Sequence, residues 1–216
     1  RRHDLSVRYS YEIQCRQLGL PLICGTQVHH NAIRLTDDNY ESILLAPVLL
    51  SDLCPKESYF QTPAITRHIF NLLHEPNVSE QVVVANPHRN RYSNNNDVFV
   101  HMRLTDVRQN SPGSGYYISA ISCLTFDTLY IASDDFDDPI LREVVDAYPT
   151  AVFVRSNEVD TIQFGSTCKH VILSHGSFSG VIGLLSFYSD VYYPPIDSAK
   201  QWYGDMFSGQ GWTEHR

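Results

Sequence analysis

Residues 128–156, TLYIASDDFDDPILREVVDAYPTAVFVRS, read as strand, helix, strand. TLYIAS (128–133) and AVFVRS (151–156) are short runs rich in β-branched and aromatic residues. Between them, DPILREVVDAY (138–148) is a helix with Pro139 in its first turn, where a missing N–H costs nothing. The alternation continues on both sides. VFVHMRL (98–104) is a strand, and the turn SPGSG leads into a helix near 116–126. HVILS (170–174) is a strand, SFSGVIGLLSFYS (177–189) a helix and VYYP (191–194) a closing strand. Strands alternating with helices define an α/β fold with a parallel sheet covered on both faces. Its ligand site is expected at the carboxyl ends of the strands.

Upstream the pattern is thinner. PAITRHIFNLLHE (63–75) carries an apolar stripe at Ile65, Ile69, Leu72 and Leu73, and Pro76 is read as its end. NPHRNRYSNNND (86–97) is polar, Asn-rich and read as a loop. It divides the chain into an N-terminal lobe, 1–90, and a C-terminal lobe, 91–216. Within the first lobe, 5–18 shows a helical face at Leu5, Tyr9, Ile13 and Leu18 with Gly19 as its stop. LPLIC (20–24) reads as a strand, and Asp37-Asp38-Asn39 could open a short helix through Leu45. A strand–helix–strand unit needs a strand before residue 5, so the chain is expected to derive from a longer polypeptide with flanking domains.

Composition narrows the function classes. The 43% hydrophobic and 19% charged residues exclude a disordered chain and a disulfide miniprotein. Sixteen basic residues against twenty-four acidic ones, net −8, exclude a nucleic-acid polymer as partner but not a single nucleotide. The five cysteines have no C-x-x-C spacing, so a zinc ribbon is disfavoured and free thiols in a reducing, cytoplasmic compartment are expected. No apolar run reaches the roughly 18 residues of a membrane span, so no membrane partner is expected. G-x-x-x-x-G-K-[ST], H-E-x-x-H and G-x-S-x-G are absent.

Three strand ends gather polar residues. The first is His101-Met102-Arg103-Leu104-Thr105-Asp106, where strand alternation puts His101, Arg103 and Thr105 on one face. Arg103 either pairs with a neighbouring carboxylate or binds phosphate oxygens through its planar fork. The second is Ser174-His175-Gly176-Ser177-Phe178-Ser179-Gly180, before an apolar helix. It is either an N-cap built on Ser177 or Ser179, or a cradle that offers backbone amides to a diphosphate. The third is Ser133-Asp134-Asp135-Phe136-Asp137-Asp138-Pro139. Its carboxylates cap the following helix, hold a cation through Asp135 and Asp137 as in metal-dependent GT-A transferases, or contact a sugar. Asp160 is either a solvated loop carboxylate or a partner for a purine edge. His29-His30 reads as a surface pair.

In order and spacing, over 98–195, these blocks resemble the fucosyltransferase superfamily of α-1,2- and α-1,6-fucosyltransferases. The family's H-x-R-x-x-D stretch matches His101 to Asp106. Its strand ending in Ser/Thr-Asp-Asp matches YIASDDFDDPILREVV, and its strand, Ser-rich turn and apolar helix match CKHVILSHGSFSGVIGLL. Leu18-Gly19-Leu20-Pro21 matches the end of its first helix, whereas His3-Asp4 stands where the family has Asn-Gln. A looser resemblance is to rhamnosyltransferase domains of multidomain capsid-glycan enzymes in large algal viruses, which would place the reaction in host cytoplasm. The resemblance implies a compact GT-B architecture of two Rossmann-like lobes. It implies an inverting glycosyltransferase that moves L-fucose or L-rhamnose from GDP-L-fucose or UDP-β-L-rhamnose to a glycan hydroxyl, with no metal or other cofactor. Arg103 would bind the β-phosphate, with Ser177, Ser179 and the amides of their turn assisting. His101 and Asp160 would face the base. Asp134, Ser174, His175, Gly176 and Phe178 would complete the donor site. The family's glutamate base is replaced by Asn110 and Ser111, which leaves Asp106 as the candidate base. A non-catalytic carbohydrate-binding module is the alternative without chemistry.

Overall fold

The computed structural model describes residues 63–196 and 205–216. The expected elements at 5–18, 20–24 and 37–45, together with His29-His30 and Cys15, Cys24 and Cys54, lie outside them. Val98–Met102 (β1) is buried at every position, as a strand covered on both faces must be. It pairs in parallel with Leu129–Ser133 (β2) on one side and His170–Ile172 (β4) on the other. Val152–Phe153 (β3) lies outside β2, and Asp190–Tyr193 (β5) and Thr213–Glu214 (β6) lie beyond β4. The order is β3-β2-β1-β4-β5-β6, all parallel. This order is shared with Rossmann-type doubly wound sheets, and the direction of winding reverses between β1 and β4.

Alternation along β1 sorts the two cores. Val98, Val100 and Met102 pack with Tyr117, Ile121, Leu141 and Val144, from Ser114–Ser122 (α3) and Pro139–Ala147 (α4). Phe99 faces the opposite way, with Val171, Leu173, Ile182, Tyr193 and Phe207, under Glu158–Gly165 (α5) and Ser177–Leu184 (α6). Two helices precede the sheet, Pro63–Leu73 (α1) and Pro76–Ala85 (α2). Phe70 of α1 meets Trp212 edge-on, with centroids 6.4 Å apart.

Several expectations change. Pro76 does end α1, but it also occupies the first turn of α2, the position its fixed φ suits. The segment after Ser156 is not a loop. Asn157 caps α5 by accepting from the Asp160 N–H at 2.9 Å, and its Nδ2 donates to Asp160 Oδ2 at 2.9 Å. Asn157 is thus the N-cap of α5, and Asp160 is a helical residue in its first turn. The strand expected over 98–104 stops at Met102. Beyond it the Arg103 and Leu104 N–H groups donate to Ser174 Oγ (3.3 Å) and Asp134 Oδ1 (2.6 Å). Side chains there replace ladder partners, because β2 and β4 have ended. The Asn-rich loop, with a 3-10 turn at Arg89–Arg91, is pinned to the sheet unit. Asn86 Nδ2 donates to Gln163 O and Asn95 Nδ2 to Thr167 O, both at 2.9 Å. β6 was not anticipated. Cys123 and Cys168 are free thiols, and no described helix is long and apolar enough to cross a membrane.

Close packing under β1 yields a test. A Cβ on Gly165 would lie 2.5 Å from the ring of Phe99, which is fully buried and cannot retreat. A Cβ on Gly115 would meet nothing within 4 Å. Gly165→Ala should therefore destabilise by about 1–3 kcal/mol. Gly115→Ala should be neutral or stabilising by up to about 1 kcal/mol. Urea unfolding of both variants checks the pair, and equal midpoints would contradict this packing.

Candidate functional site

Strand order carries three separated stretches to one edge. The carboxyl ends of β1, β2 and β3 open into a cleft of about 240 Å³. Its walls include His101, Arg103, Asp134, Phe136, Arg155 and Phe178. A second cleft of about 450 Å³ shares Val154, Arg155 and Ser156 with the first and adds His88, Asp160 and Phe164.

His101 is the polar exception in β1. It is 5% exposed, and its Nδ1 lies 2.6 Å from Ser179 Oγ. Ser179, fully buried, also accepts the Ser174 N–H at 3.0 Å. Burial pushes His101 down to about 4; Arg103 acts in the same direction and Asp134 against it. A neutral imidazole that accepts the Ser179 hydroxyl proton at Nδ1 keeps its own proton on Nε2. This bond set makes a buried histidine tolerable on a central strand. It also assigns Ser179 a role other than capping. Gly176, at φ 100°, is the N-cap of α6, and no side chain caps that terminus. Neither Ser177 nor Ser179 performs the expected capping. Ser177 is exposed on the first turn. His175 is 8% exposed, and burial pushes it down to about 4.

Arg103 is held by carboxylates. Its Nη2 lies 2.7 Å from Asp106 Oδ1 and its Nε 3.2 Å from Asp134 Oδ2. Of the two readings of Arg103, pairing with a neighbour is therefore present in the fold. Asp134, expected at the donor, uses its oxygens on the chain itself, accepting from Leu104 N–H and, at 2.5 Å, from Thr105 Oγ1. Asp106 is exposed and lies against Arg103. In the acidic run Asp138 is the helix cap, accepting from Ile140 N–H at 2.8 Å and pairing with Arg108. The Arg108 hydrogen bond holds its carboxyl below the ordinary range. Asp135 Oδ1 accepts the Asp137 N–H at 2.9 Å, a local turn. Among the described residues, no three His, Cys, Asp or Glu side chains converge as a metal site.

The structure thus brings His101, Arg103, Asp134 and Phe178 to one cleft, with Ser174 and Ser179 in the layer behind them. Asp160 lies on the neighbouring cleft, reached past Arg155. Three neighbours escaped the sequence reading: Arg155, Phe136 and Tyr117. Arg155 ends a strand just as Arg103 does, and that position was its available signal. Tyr117 belongs to α3, and its buried hydroxyl lies near Ser174 and Ser111 without a hydrogen bond of good geometry. Nothing in the local sequence marks it.

No protein-family model matches the chain, and no curated protein matches it in sequence.

Two predictions follow from the buried polar layer. Ser179→Ala strands both the Ser174 N–H and His101 Nδ1, and should cost about 1–3 kcal/mol in unfolding free energy. His101 and His175 have folded values below the ordinary 6.5, so the unfolded chain takes up protons first as pH falls. Their contribution to stability is full above about pH 6.5 and is lost progressively as pH falls towards 4. Urea midpoints at pH 7.5, 5.5 and 4.5 should descend in that order, and less steeply in His101→Asn. A variant with the same slope as wild type would remove His101 from the account.

Proposed function

We propose that this chain is a nucleotide-sugar-dependent glycosyltransferase, transferring a 6-deoxy-L-hexose to a glycan hydroxyl with inversion and without a metal. One observation carries the reading. The three blocks that resemble fucosyltransferases, far apart in sequence, meet at the strand-end edge where doubly wound sheets bind ligands. In this reading residues 1–90 supply an acceptor-side lobe of a GT-B architecture and residues 91–216 the donor lobe.

The chemistry asked of the site is modest. The donor's anomeric carbon is attacked by an acceptor oxygen, and the nucleoside diphosphate leaves with the bonding electron pair. Negative charge grows on the phosphate oxygens, so a fixed cation there lowers the barrier. Arg103 is suited to this. Two carboxylates orient its guanidinium, so little reorganisation remains at the moment of reaction. The α6 N-terminus, free of a side-chain cap, offers the amides of its first turn to the same phosphates. Asp160 borders the larger cleft with His88 and Phe164, and in this reading it faces the nucleobase edge. His101 forms part of the floor instead, because its Nδ1 is committed to Ser179. Asp106, exposed at 2.7 Å from Arg103, is the candidate to take the acceptor's proton.

The test is nucleoside diphosphate release from GDP-L-fucose, UDP-β-L-rhamnose, UDP-glucose and GDP-mannose in EDTA. Release from one 6-deoxy-L-hexose donor is expected, falling about 10²–10³-fold in Arg103→Ala. Release that requires added Mn²⁺ would move the chemistry to Asp135 and Asp137. No release under either condition, in folded protein with mixed glycan acceptors, would leave a binding module and overturn the proposal.

A further inference from the structure

The charge balance of the cleft is unfavourable for a diphosphate if Arg103 acts alone. One guanidinium faces two carboxylates, Asp106 and Asp134, so that trio sums to −1. Glu158 adds another carboxylate to the wall, and His101 is neutral above about pH 4. A bound diphosphate would meet net repulsion in a confined space, where Coulomb terms are larger than in water.

Among the described residues that line the cleft, Arg155 is the other cation. It follows β3 and is exposed. Its guanidinium carbon lies 3.8 Å from the centroid of Phe136 and 5.5 Å from that of Phe153. Those two rings meet edge-on, with centroids 5.3 Å apart. Among the described residues, no carboxylate stands within ion-pair distance of Arg155 and no acceptor takes its N–H groups. Stacking occupies the flat face of a guanidinium and leaves its hydrogen-bonding edge free. The rings therefore restrain the side chain without using its donors. Arg155 also borders both clefts, so a ligand that extends from one into the other passes it.

We propose that Arg155 is the second cation of the donor site, the guanidinium that binds the diphosphate where the two clefts join. The proposal rests on the nucleotide-sugar reading above. Phe136 and Phe153 are positioning residues that hold the fork, and Arg155 adds positive charge beside Arg103, whose own charge Asp106 and Asp134 offset.

Calorimetric titration of the full chain with GDP and with UDP, in EDTA at 50 and 500 mM NaCl, tests it. Wild type should bind one of them. Arg155→Ala should weaken that binding tenfold or more, as expected for a lost charge-assisted contact. It should also flatten the salt dependence, because the screened charge is gone. Arg155→Lys should recover only part of the loss, since an ammonium neither forks nor stacks. Arg155 is exposed, so both variants should melt with wild type. Unchanged affinity in Arg155→Ala would overturn this proposal alone. A loss with the salt dependence unaltered would also overturn it, and would make Arg155 a base-stacking residue. Wild type that binds neither diphosphate would overturn the nucleotide reading together with this one.

Discussion

The carboxylate of Asp134 organises the edge on which the candidate site stands. β1 ends inside the sheet, with partners on both sides that also end. Its next residues still need acceptors for their N–H groups, and buried amides without them are costly. Asp134, immediately after β2, accepts from Leu104 N–H and Thr105 Oγ1 and pairs with Arg103 Nε. One side chain thus turns the exiting chain and aims the guanidinium. Ser174, after β4, accepts the Arg103 N–H from the other side. Arg103 occupies its place because the two neighbouring strands each end in a residue that can hold β1.

On each face of the sheet one helix start is capped by a side chain and the other is not, a difference that bears on function. α4 and α5 begin with side-chain caps, from Asp138 and Asn157. α3 and α6 begin with glycines at φ 84° and 100° and have no side-chain cap. These two helices follow β1 and β4, the strands that flank the reversal of winding. A capped helix has some of its first N–H groups occupied, whereas an uncapped one presents them outward. The positive φ is open to glycine at little cost, so Gly113 and Gly176 are fitted to those turns. Beneath α6, the Ser179–His101 bond ties the helix to β1.

Much of the fold was legible, for an identifiable reason. β1, β2, α4 and β5 are dense apolar or strongly periodic segments with clear punctuation, and each lies close to its expected place. α5 was missed because its apolar signal is weak and ends at Gly165. Its cap, Asn157 with Asp160, was nevertheless readable as a local hydrogen-bond pattern. β6 is two residues long and exists through pairing with β5, so no local propensity could announce it. In the site, Arg103, Asp134 and the Ser174–Ser179 turn were legible as polar residues at strand ends. Arg155, near the end of the expected strand AVFVRS, carried the same signal.

Residue type and spacing alone determined that this chain builds a parallel α/β sheet and that its polar strand ends face one edge. Both follow from local periodicity, which the backbone enforces within a few residues. Only the tertiary structure decided which strand ends are neighbours, because strand order depends on contacts between residues distant in sequence. That order made Ser179 a buried partner of His101 in place of a cap, and tied Arg103 to Asp134. It also left Arg155 stacked on Phe136, with its donors unspent among the described residues. Hydrogen-bond and ion-pair choices of this kind turn on distances of an ångström, and those distances exist only once the sheet has assembled.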